Sequence, residues 1–114
     1  MVFSYEETAI QTSIVNYLNL FDDVFVFTVP NAAKRNAREA SVLKKQGMKS
    51  GISDLVLLMK NKVLFIEIKT QKKTSVLSPT QKIFRSICTK FGLEYLVWRS
   101  IDDAINFINE RVRK

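Results

Sequence analysis

The chain has 114 residues, of which 46% are hydrophobic, so it is long enough for one domain with a buried core and too short for two. Its net charge of +7 favours a polyanionic partner, such as nucleic acid or a membrane surface. One cysteine and no histidine exclude an internal disulfide, a histidine-containing metal site and a histidine base. Any catalysis must therefore use carboxylates and lysine. We expect no signal peptide and no membrane span, because the N-terminus has no basic segment before an apolar one and no apolar run is long enough.

The first predicted element is a helix from residue 4 to about residue 20. Ser4 is a suitable N-cap, and Glu7, three residues later, completes a capping box. Helical spacing places Glu7 on the same stripe as Ile14, so we expect its carboxylate to point towards the interior. The β-branched and aromatic run at 24–29 predicts a strand.

A basic segment at 31–46 follows, and its second half is expected to form a short helix that ends at Gly47. The centre of the chain holds two short apolar runs, at 54–59 and 63–70. Both are too short and too apolar for an amphipathic helix, so they predict two buried strands, joined by a turn at 61–62 as a hairpin.

Three charged residues lie at the ends of these two strands. Asp54 opens the first strand, and Glu67 and Lys69 close the second, on the same face as Phe65. In an antiparallel pair these ends are adjacent, so two carboxylates and one ammonium group converge at one edge of an apolar sheet. The structural alternative is an ordinary ion-pair cluster. It is disfavoured because burying two acids beside one base is costly unless every charge is paired.

The C-terminal third of the chain predicts a helix, a strand and a helix. Ser78, Pro79 and Gln81 provide a cap, a first-turn proline and a capping-box residue. We expect burial of the apolar residues of this helix: Ile83, Phe84, Ile87, Cys88 and Phe91. The strand lies at 93–98, and Ser100 begins the last helix. The order α-β-α-β-β-α-β-α predicts a single α/β domain over residues 1–114, with a small mixed sheet flanked by helices.

These residues resemble the PD-(D/E)xK nuclease superfamily, in which a helical acid precedes a Gly-x-x-Asp motif and a Glu-x-Lys motif. Within it, the chain is similar to a stand-alone virus-type replication-repair nuclease (VRR-NUC) domain. The motifs that carry this resemblance are Glu7 to Gln11, Leu43 to Gly47, Gly51 to Asp54, Phe65 to Thr70 and Leu77 to Gln81. Ser53 departs from the family, which commonly has proline there, although serine adopts the same extended backbone. The resemblance implies a restriction-endonuclease-like core.

The resemblance also implies phosphodiester hydrolysis that depends on Mg²⁺, with Mn²⁺ as a substitute. Asp54 and Glu67 would bind the metal directly, and the backbone carbonyl of Ile68 would be a third ligand. Lys69 would orient the attacking water and stabilise developing negative charge. Glu7 would hold the metal through water or help to bind a second ion.

Gln81 would brace the site or position the scissile phosphate. Glu7 and Gln81 each have a structural alternative, as the capping-box residues of their helices, and in each case the two roles are compatible. Cys88 lies on an apolar helical face and is expected to be core.

Basic residues flank the acidic cluster on both sides in the sequence, which predicts a track for DNA phosphates. These residues are Lys34, Arg35, Arg38, Lys44, Lys45, Lys49, Lys72 and Lys73. The sequence has no zinc finger, helix-turn-helix reader or aromatic RNA-binding signature, so we expect recognition of the DNA backbone and shape.

The resemblance implies a structure-selective DNA endonuclease, because stand-alone members are similar to four-way (Holliday) junction resolvases. Symmetric cutting of two strands implies a homodimer, and the apolar residues of the first and last helices are candidates for its interface. The family context implies the cytoplasm of a bacterial or phage-infected cell, with no membrane partner and no small-molecule cofactor. Two alternatives stay open. The first is a non-catalytic DNA-binding module on a nuclease-like scaffold. The second is a restriction-type, sequence-specific endonuclease, whose usual recognition insertions are missing from so short a chain.

Overall fold

The computed structural model describes residues 5–29, 36–49 and 51–112. Within them, eight elements follow in the predicted order α-β-α-β-β-α-β-α. They are α1 (Tyr5–Leu18), β1 (Val24–Thr28), α2 (Ala37–Lys45), β2 (Leu55–Met59), β3 (Lys62–Ile68), α3 (Pro79–Lys90), β4 (Glu94–Trp98) and α4 (Ile101–Arg111). The predicted α/β class and element order are confirmed. Ser4, the predicted N-cap of α1, lies outside the described residues.

The four strands form one mixed sheet in the order β1-β2-β3-β4. The β1–β2 and β2–β3 pairs are antiparallel, whereas β3 and β4 are parallel. The β2–β3 hairpin turns at residues 60–61 rather than at the predicted 61–62, because Met59 pairs with Lys62. Asn61 has a φ of 61° in this turn, a left-handed conformation that asparagine tolerates better than most residues.

The hydrophobic core lies between one face of this sheet and the helices α1 and α4. Strand alternation turns Leu57, Leu64 and Ile66 to this face, where all three side chains are fully buried. Ile14 of α1 and Ile108 of α4 belong to the same cluster and are also fully buried. The core-facing residues of α1 and α4 are therefore unavailable to a second chain. The core-facing apolar residues of these helices, which the sequence offers as candidates for a dimer interface, thus pack within the core of one protomer.

Helix α3 packs on the opposite face of the sheet, above β3 and β4. The ring of Phe84 contacts the rings of Phe65 and Tyr95, at centroid distances of 5.0 and 6.0 Å. Cys88 is buried, as predicted. The predicted burial is wrong for Ile83 and Ile87 of α3, which are 61% and 43% exposed, and for Phe91, the C-cap of α3, which is 67% exposed. One helix buries only the stripe that faces its sheet, and the apolar residues of α3 extend beyond that stripe.

Helix α2 connects β1 to β2 without joining the core. Its N-cap, Asn36, accepts a hydrogen bond from the Glu39 N–H at 2.8 Å, and Gly47 follows its last turn with a φ of 108°. In the described part of the chain, α2 buries no residue and packs against no other helix or strand. Its basic side chains therefore face solvent. None of the helices in the described ranges is long and apolar enough to cross a membrane.

Candidate active site

Two carboxylates lie next to each other where the start of β2 meets the end of β3. Asp54 immediately precedes β2, and Glu67 is the last residue but one of β3. The pairing of Leu55 with Ile66 brings the two acids to the same edge of the sheet. Asp54 Oδ2 accepts a hydrogen bond from the Ile68 N–H at 2.8 Å, so the main chain of β3 fixes the orientation of this carboxylate.

The buried member of this pair is Glu67, whose residue surface is only 3% exposed. Burial, followed by the hydrogen bond and the charge of Asp54, raises the pKa of Glu67 from 4.5 to about 10. The carboxylate of Glu7, reaching over from α1, also raises this pKa, whereas the Lys69 ammonium lowers it. The structure thus brings four predicted site residues within electrostatic range. Three acids face one base, so the site has an excess of negative charge.

Two side chains from other elements hold the Glu67 carboxylate. Gln81 Nε2, in the first turn of α3, donates a hydrogen bond to Glu67 Oε2 at 3.1 Å. The hydroxyl of Tyr95, on β4, donates a longer one to Glu67 Oε1 at 3.5 Å. Burial and the nearby Glu67 carboxylate raise the pKa of the Tyr95 hydroxyl, which keeps it protonated as a donor. Glu67 is therefore oriented from both sides.

The capping box predicted at the start of α3 is present. Gln81 Oε1 accepts from the Ser78 N–H at 2.8 Å, and Ser78 Oγ accepts from the Gln81 N–H at 3.2 Å. Because the amide nitrogen of Gln81 contacts Glu67 at the same time, capping and bracing are performed by opposite ends of one amide group. The geometry shows the helix cap and the contact with Glu67, and a role of Gln81 in catalysis stays a prediction.

Sequence reasoning missed Tyr95. This residue lies beside Phe65 in the parallel β3–β4 pairing, which turns both side chains to the face that carries Glu67. Parallel strands are joined through a helix, so the register of β4 against β3 is not fixed by a short turn. The alternation of side chains along β4 indicates which residues share a face of the sheet. It does not indicate which of them contacts Glu67.

The main chain beyond β3 is fixed on both sides of Lys69. The Lys69 N–H donates to the Trp98 carbonyl at 3.0 Å, and the Thr70 N–H donates to Ser75 Oγ at 2.9 Å. Arg99 Nη1 donates to the carbonyl of Thr70 at 2.6 Å. These bonds set where the Lys69 side chain leaves the sheet. They also anchor the start of the basic loop at 71–77.

Gly51 brings the segment that leads to Asp54 against the first turn of α3. Its φ is 77°, and a Cβ added there would lie 2.7 Å from Thr80 Cγ2 and 2.8 Å from the Thr80 carbonyl carbon. Only glycine fits such a conformation and such a close approach. Ser53, the departure from the family pattern, is buried and donates from its hydroxyl to the Leu55 carbonyl at 2.7 Å. The loop that carries Asp54 is therefore held against the helix that carries Gln81.

The donor set at this edge fits a divalent cation that prefers oxygen ligands. The raised pKa of Glu67 reflects its burial beside the Asp54 carboxylate, and a bound cation would stabilise this pair by relieving its repulsion. In the described part of the chain, no group of three or more Asp, Glu, His or Cys side chains is arranged as a metal site on its own. Asp54 and Glu67 would therefore need further oxygen ligands. Mg²⁺ commonly takes these from water and from substrate phosphates, and the backbone carbonyl of Ile68 stays a predicted further ligand.

The predicted DNA-binding residues lie on two separate segments. Arg38, Lys44 and Lys45 are exposed on α2, and Lys49 is exposed in the loop that follows it. A second group, Lys72 and Lys73, is exposed in the loop beyond Thr70. The Lys72 ammonium also lies 3.8 Å from the exposed carboxylate of Glu6. The remaining two predicted residues, Lys34 and Arg35, lie outside the described ranges.

Comparisons with known proteins agree with this architecture. The family model for the VRR-NUC domain matches residues 6–102. A solved structure described as a VRR_NUC domain protein is 26% identical and superimposes with a TM-score of 0.71, covering 98% of this chain and 92% of that chain. Another, described as a VRR_NUC domain, is 16% identical and supports the fold alone, with a TM-score of 0.68 over 95% of this chain and 99% of that chain. No curated protein matches the chain.

The matched region begins in α1, next to Glu7, and ends beyond β4, so it includes every element that contributes to the acidic site. The two solved structures share the mixed sheet and its helices over nearly the whole chain. The chain belongs to the VRR-NUC family and has its nuclease-type fold.

Proposed function

We propose that the protein is a metal-dependent endonuclease that hydrolyses phosphodiester bonds in branched DNA, with four-way junctions as the favoured substrate. The observation that carries this proposal is the pair Asp54 and Glu67, adjacent at the sheet edge, with Glu67 buried and held by Gln81. Such a pair is costly in a protein that serves only as a scaffold, because a buried acid, Glu67, lies against a second acid, Asp54. Hydrolysis of a phosphodiester uses a site of this kind.

The chemistry follows from the positions of the side chains. A divalent metal held by Asp54 and Glu67 would lower the pKa of water and neutralise charge on the phosphate. The Lys69 ammonium stabilises the negative charge that develops on the phosphate oxygens. Gln81 and Tyr95 keep the Glu67 carboxylate in one orientation, so that little reorganisation is needed during the reaction.

Arg38 and the exposed lysines of α2, together with the lysines of the 71–77 loop, supply the attraction for DNA. They come directly before and directly after the strands that carry the acids, so DNA phosphates bound to them are led to the site. Resolution of a junction requires two symmetric cuts, for which we propose a homodimer. We place this activity in the cytoplasm of a bacterial or phage-infected cell, as the family resemblance implies.

The test is cleavage of a labelled four-way junction beside a linear duplex of the same arm sequence, in Mg²⁺, in Mn²⁺ and in chelator. We expect paired, metal-dependent nicks in the junction only. Asp54→Asn and Glu67→Gln should remove cleavage and keep DNA binding. Glu6→Gln is the matched control, because Glu6 is an exposed acid on α1, and it should cleave like the wild type.

Each other outcome selects a different function. Equal cutting of junction and duplex keeps the nuclease and rejects the junction preference. Cutting of the duplex at one sequence identifies a restriction-type enzyme. Tight binding without cleavage in either metal identifies a non-catalytic DNA-binding module.

A further inference from the structure

One face of the sheet is only half covered. Helix α3 lies over β3 and β4. On β1 and β2 the same face carries Phe25 and Leu58, which are 63% and 38% exposed, whereas Val56, closer to the acidic site on β2, is buried. Phe25 pairs with Leu58, and Leu58 pairs with Val63, which is 37% exposed, so these side chains form a row across three strands. Phe27 extends the row along β1, with its ring centroid 6.0 Å from that of Phe25. No helix in the described ranges packs on this half.

Helix α3 presents apolar side chains beside the bare half. Ile83 and Ile87 share a flank of α3 with Thr80, because the spacing is i, i+3, i+7. Thr80 approaches Gly51, which leads into β2, so this flank is the one next to β2. Arg85 is on the opposite flank and acts electrostatically on Tyr95 of β4. Ile83 and Ile87 thus form a ridge, and the bare half of the sheet forms a recess beside it.

The ridge and the recess together make one apolar patch, defined by six residues: Phe25, Phe27, Leu58, Val63, Ile83 and Ile87. From their exposed fractions, these residues present about 600 Å² of surface, the upper end of what a monomer normally leaves exposed. None of them is charged, although the chain has a net charge of +7, so the patch is unsuited to nucleic acid.

Complete burial of two such patches would remove about 1,200 Å² from water, which is the lower end of the range of specific protein interfaces. The patch can pair with a second copy of itself, because each protomer carries both an exposed flank of α3 and an exposed part of the sheet. A two-fold axis would place the ridge of each protomer over the recess of the other.

We propose that this patch is the interface of a homodimer, in which α3 of each protomer packs on the β1–β2 half of its partner's sheet. Ile83 contacts the sheet of the partner near Leu58, and the reciprocal contact is made across the two-fold axis. The proposal deepens, and rests on, the dimer proposed above for junction cleavage. This patch takes the place of α1 and α4 as the candidate interface, because the core-facing residues of these helices are buried within the protomer.

The first experiment measures the mass of the protein in solution, without DNA or metal, by sedimentation equilibrium. We expect the wild type to have twice the chain mass of 13.1 kDa. Leu58→Lys and Ile83→Glu should each give the mass of one chain, because each places two unpaired charges in the dimer interface. Leu20→Glu is the matched control, since Leu20 is 75% exposed away from the patch, and it should stay a dimer.

The second experiment mixes the two monomeric variants in equal amounts. In a mixed dimer, the new lysine of one chain meets the new glutamate of the other, and the second contact keeps its native leucine and isoleucine. We therefore expect the mixture to recover the mass of two chains. A mixture that stays monomeric would overturn the pairing of α3 with the sheet.

A cross-linking experiment keeps the test decisive if a charged variant does not fold. The chain has a single cysteine, Cys88, which is buried. Leu58→Cys with Ile83→Cys should form a covalently linked pair of chains under an added oxidant, and Leu20→Cys should not. A monomeric wild type, or equal cross-linking of the Leu20→Cys control, would overturn the interface. The nuclease proposal would survive either result, because it is measured separately as metal-dependent cleavage.

Discussion

The side-chain amide of Gln81 contacts Glu67 and also caps the N-terminus of α3. The oxygen of the Gln81 amide accepts from the Ser78 N–H, and its nitrogen donates to Glu67 Oε2. Each end of the amide has a partner of the opposite hydrogen-bonding type, which fixes which end is oxygen. The first turn of α3 is therefore part of the acidic site.

Substitutions on either side of the capping box should separate its two functions. Gln81→Glu retains an acceptor for the Ser78 N–H but places a second carboxylate against Glu67, so we expect cleavage to fall by about 10- to 100-fold. Ser78→Ala removes a capping oxygen and should lower the free energy of unfolding by about 1 kcal/mol, with cleavage retained. Junction cleavage and urea unfolding of both variants provide the comparison. Losses of activity that follow stability alone would leave Gln81 as a cap only.

The stability of the metal-free protein should depend on Glu67 in a defined direction. Because folding raises the pKa of Glu67 from 4.5 to about 10, the folded state binds a proton that the unfolded state releases between these pH values. The free energy of unfolding therefore falls as pH rises through this window. The Mg²⁺ that we propose to bind here would compete with that proton, so we expect it to raise the melting temperature more at pH 9 than at pH 6.

Glu67→Gln is the reference for this measurement, because it is neutral at every pH. In chelator at alkaline pH, we expect this variant to melt at a higher temperature than the wild type, to lose stability less steeply with pH and to show no response to Mg²⁺. Parallel pH profiles of the two proteins would contradict the raised pKa of Glu67.

Glu7 and Glu6 provide a matched pair of adjacent acids on α1. Glu7 is half-buried and acts on Glu67, whereas Glu6 is exposed. We expect Glu7→Gln to need about 10-fold more Mg²⁺ for half-maximal cleavage, because the site loses negative charge. Glu6→Gln should be unchanged at moderate salt. Identical magnesium titrations for Glu7→Gln and the wild type would show that Glu7 has no role in metal binding and serves only at the start of α1.

Gly51→Ala tests the contact between the Asp54 loop and α3. A Cβ at this position collides with the backbone of Thr80, and the left-handed φ adds strain. We expect a loss of about 1–3 kcal/mol in the free energy of unfolding, together with reduced cleavage, because the first turn of α3 is displaced from Glu67. Gly47→Ala is the control, since a Cβ at Gly47 meets no atom within 4 Å although its φ is also positive. Equal activity of the two variants would show that the contact does not position the site.

The lysines of the 71–77 loop should determine part of the salt dependence of DNA binding. We expect the double substitution Lys72→Ala with Lys73→Ala to reduce the slope of log affinity against log salt by about 2, with little effect on junction preference. The control is Lys60→Ala with Lys62→Ala, at the hairpin turn, the end of these strands away from the acids. Fluorescence anisotropy at several salt concentrations gives both slopes. An equal reduction in the control would assign the effect to net charge alone.

The acidic centre was accessible from the sequence because its spacing is local. Asp54 and Glu67 are brought together by a hairpin, and alternation along one strand places Glu67 and Lys69 on the same face. Tyr95 was not accessible, because its place beside Phe65 depends on a parallel pairing that the intervening helix does not specify.

The exposed residues of α3 show a second limit of sequence patterns. Ile83 and Ile87 have the spacing of a buried stripe, and the sequence predicted burial. Periodicity identifies an apolar face, but it does not distinguish a face that meets its own sheet from one that meets another chain. In the structure α3 covers only β3 and β4, which leaves Ile83 and Ile87 exposed at its flank.

The single tryptophan of the chain makes the end of β3 observable without a label. Trp98 is 5% exposed, its ring packs 5.6 Å from that of Phe107, and its carbonyl accepts from the Lys69 N–H. Its fluorescence therefore reports on the place where the core meets the segment that carries Lys69. A shift of its emission on addition of metal or DNA would record, in real time, a rearrangement of the protein around Lys69 before the DNA is cut.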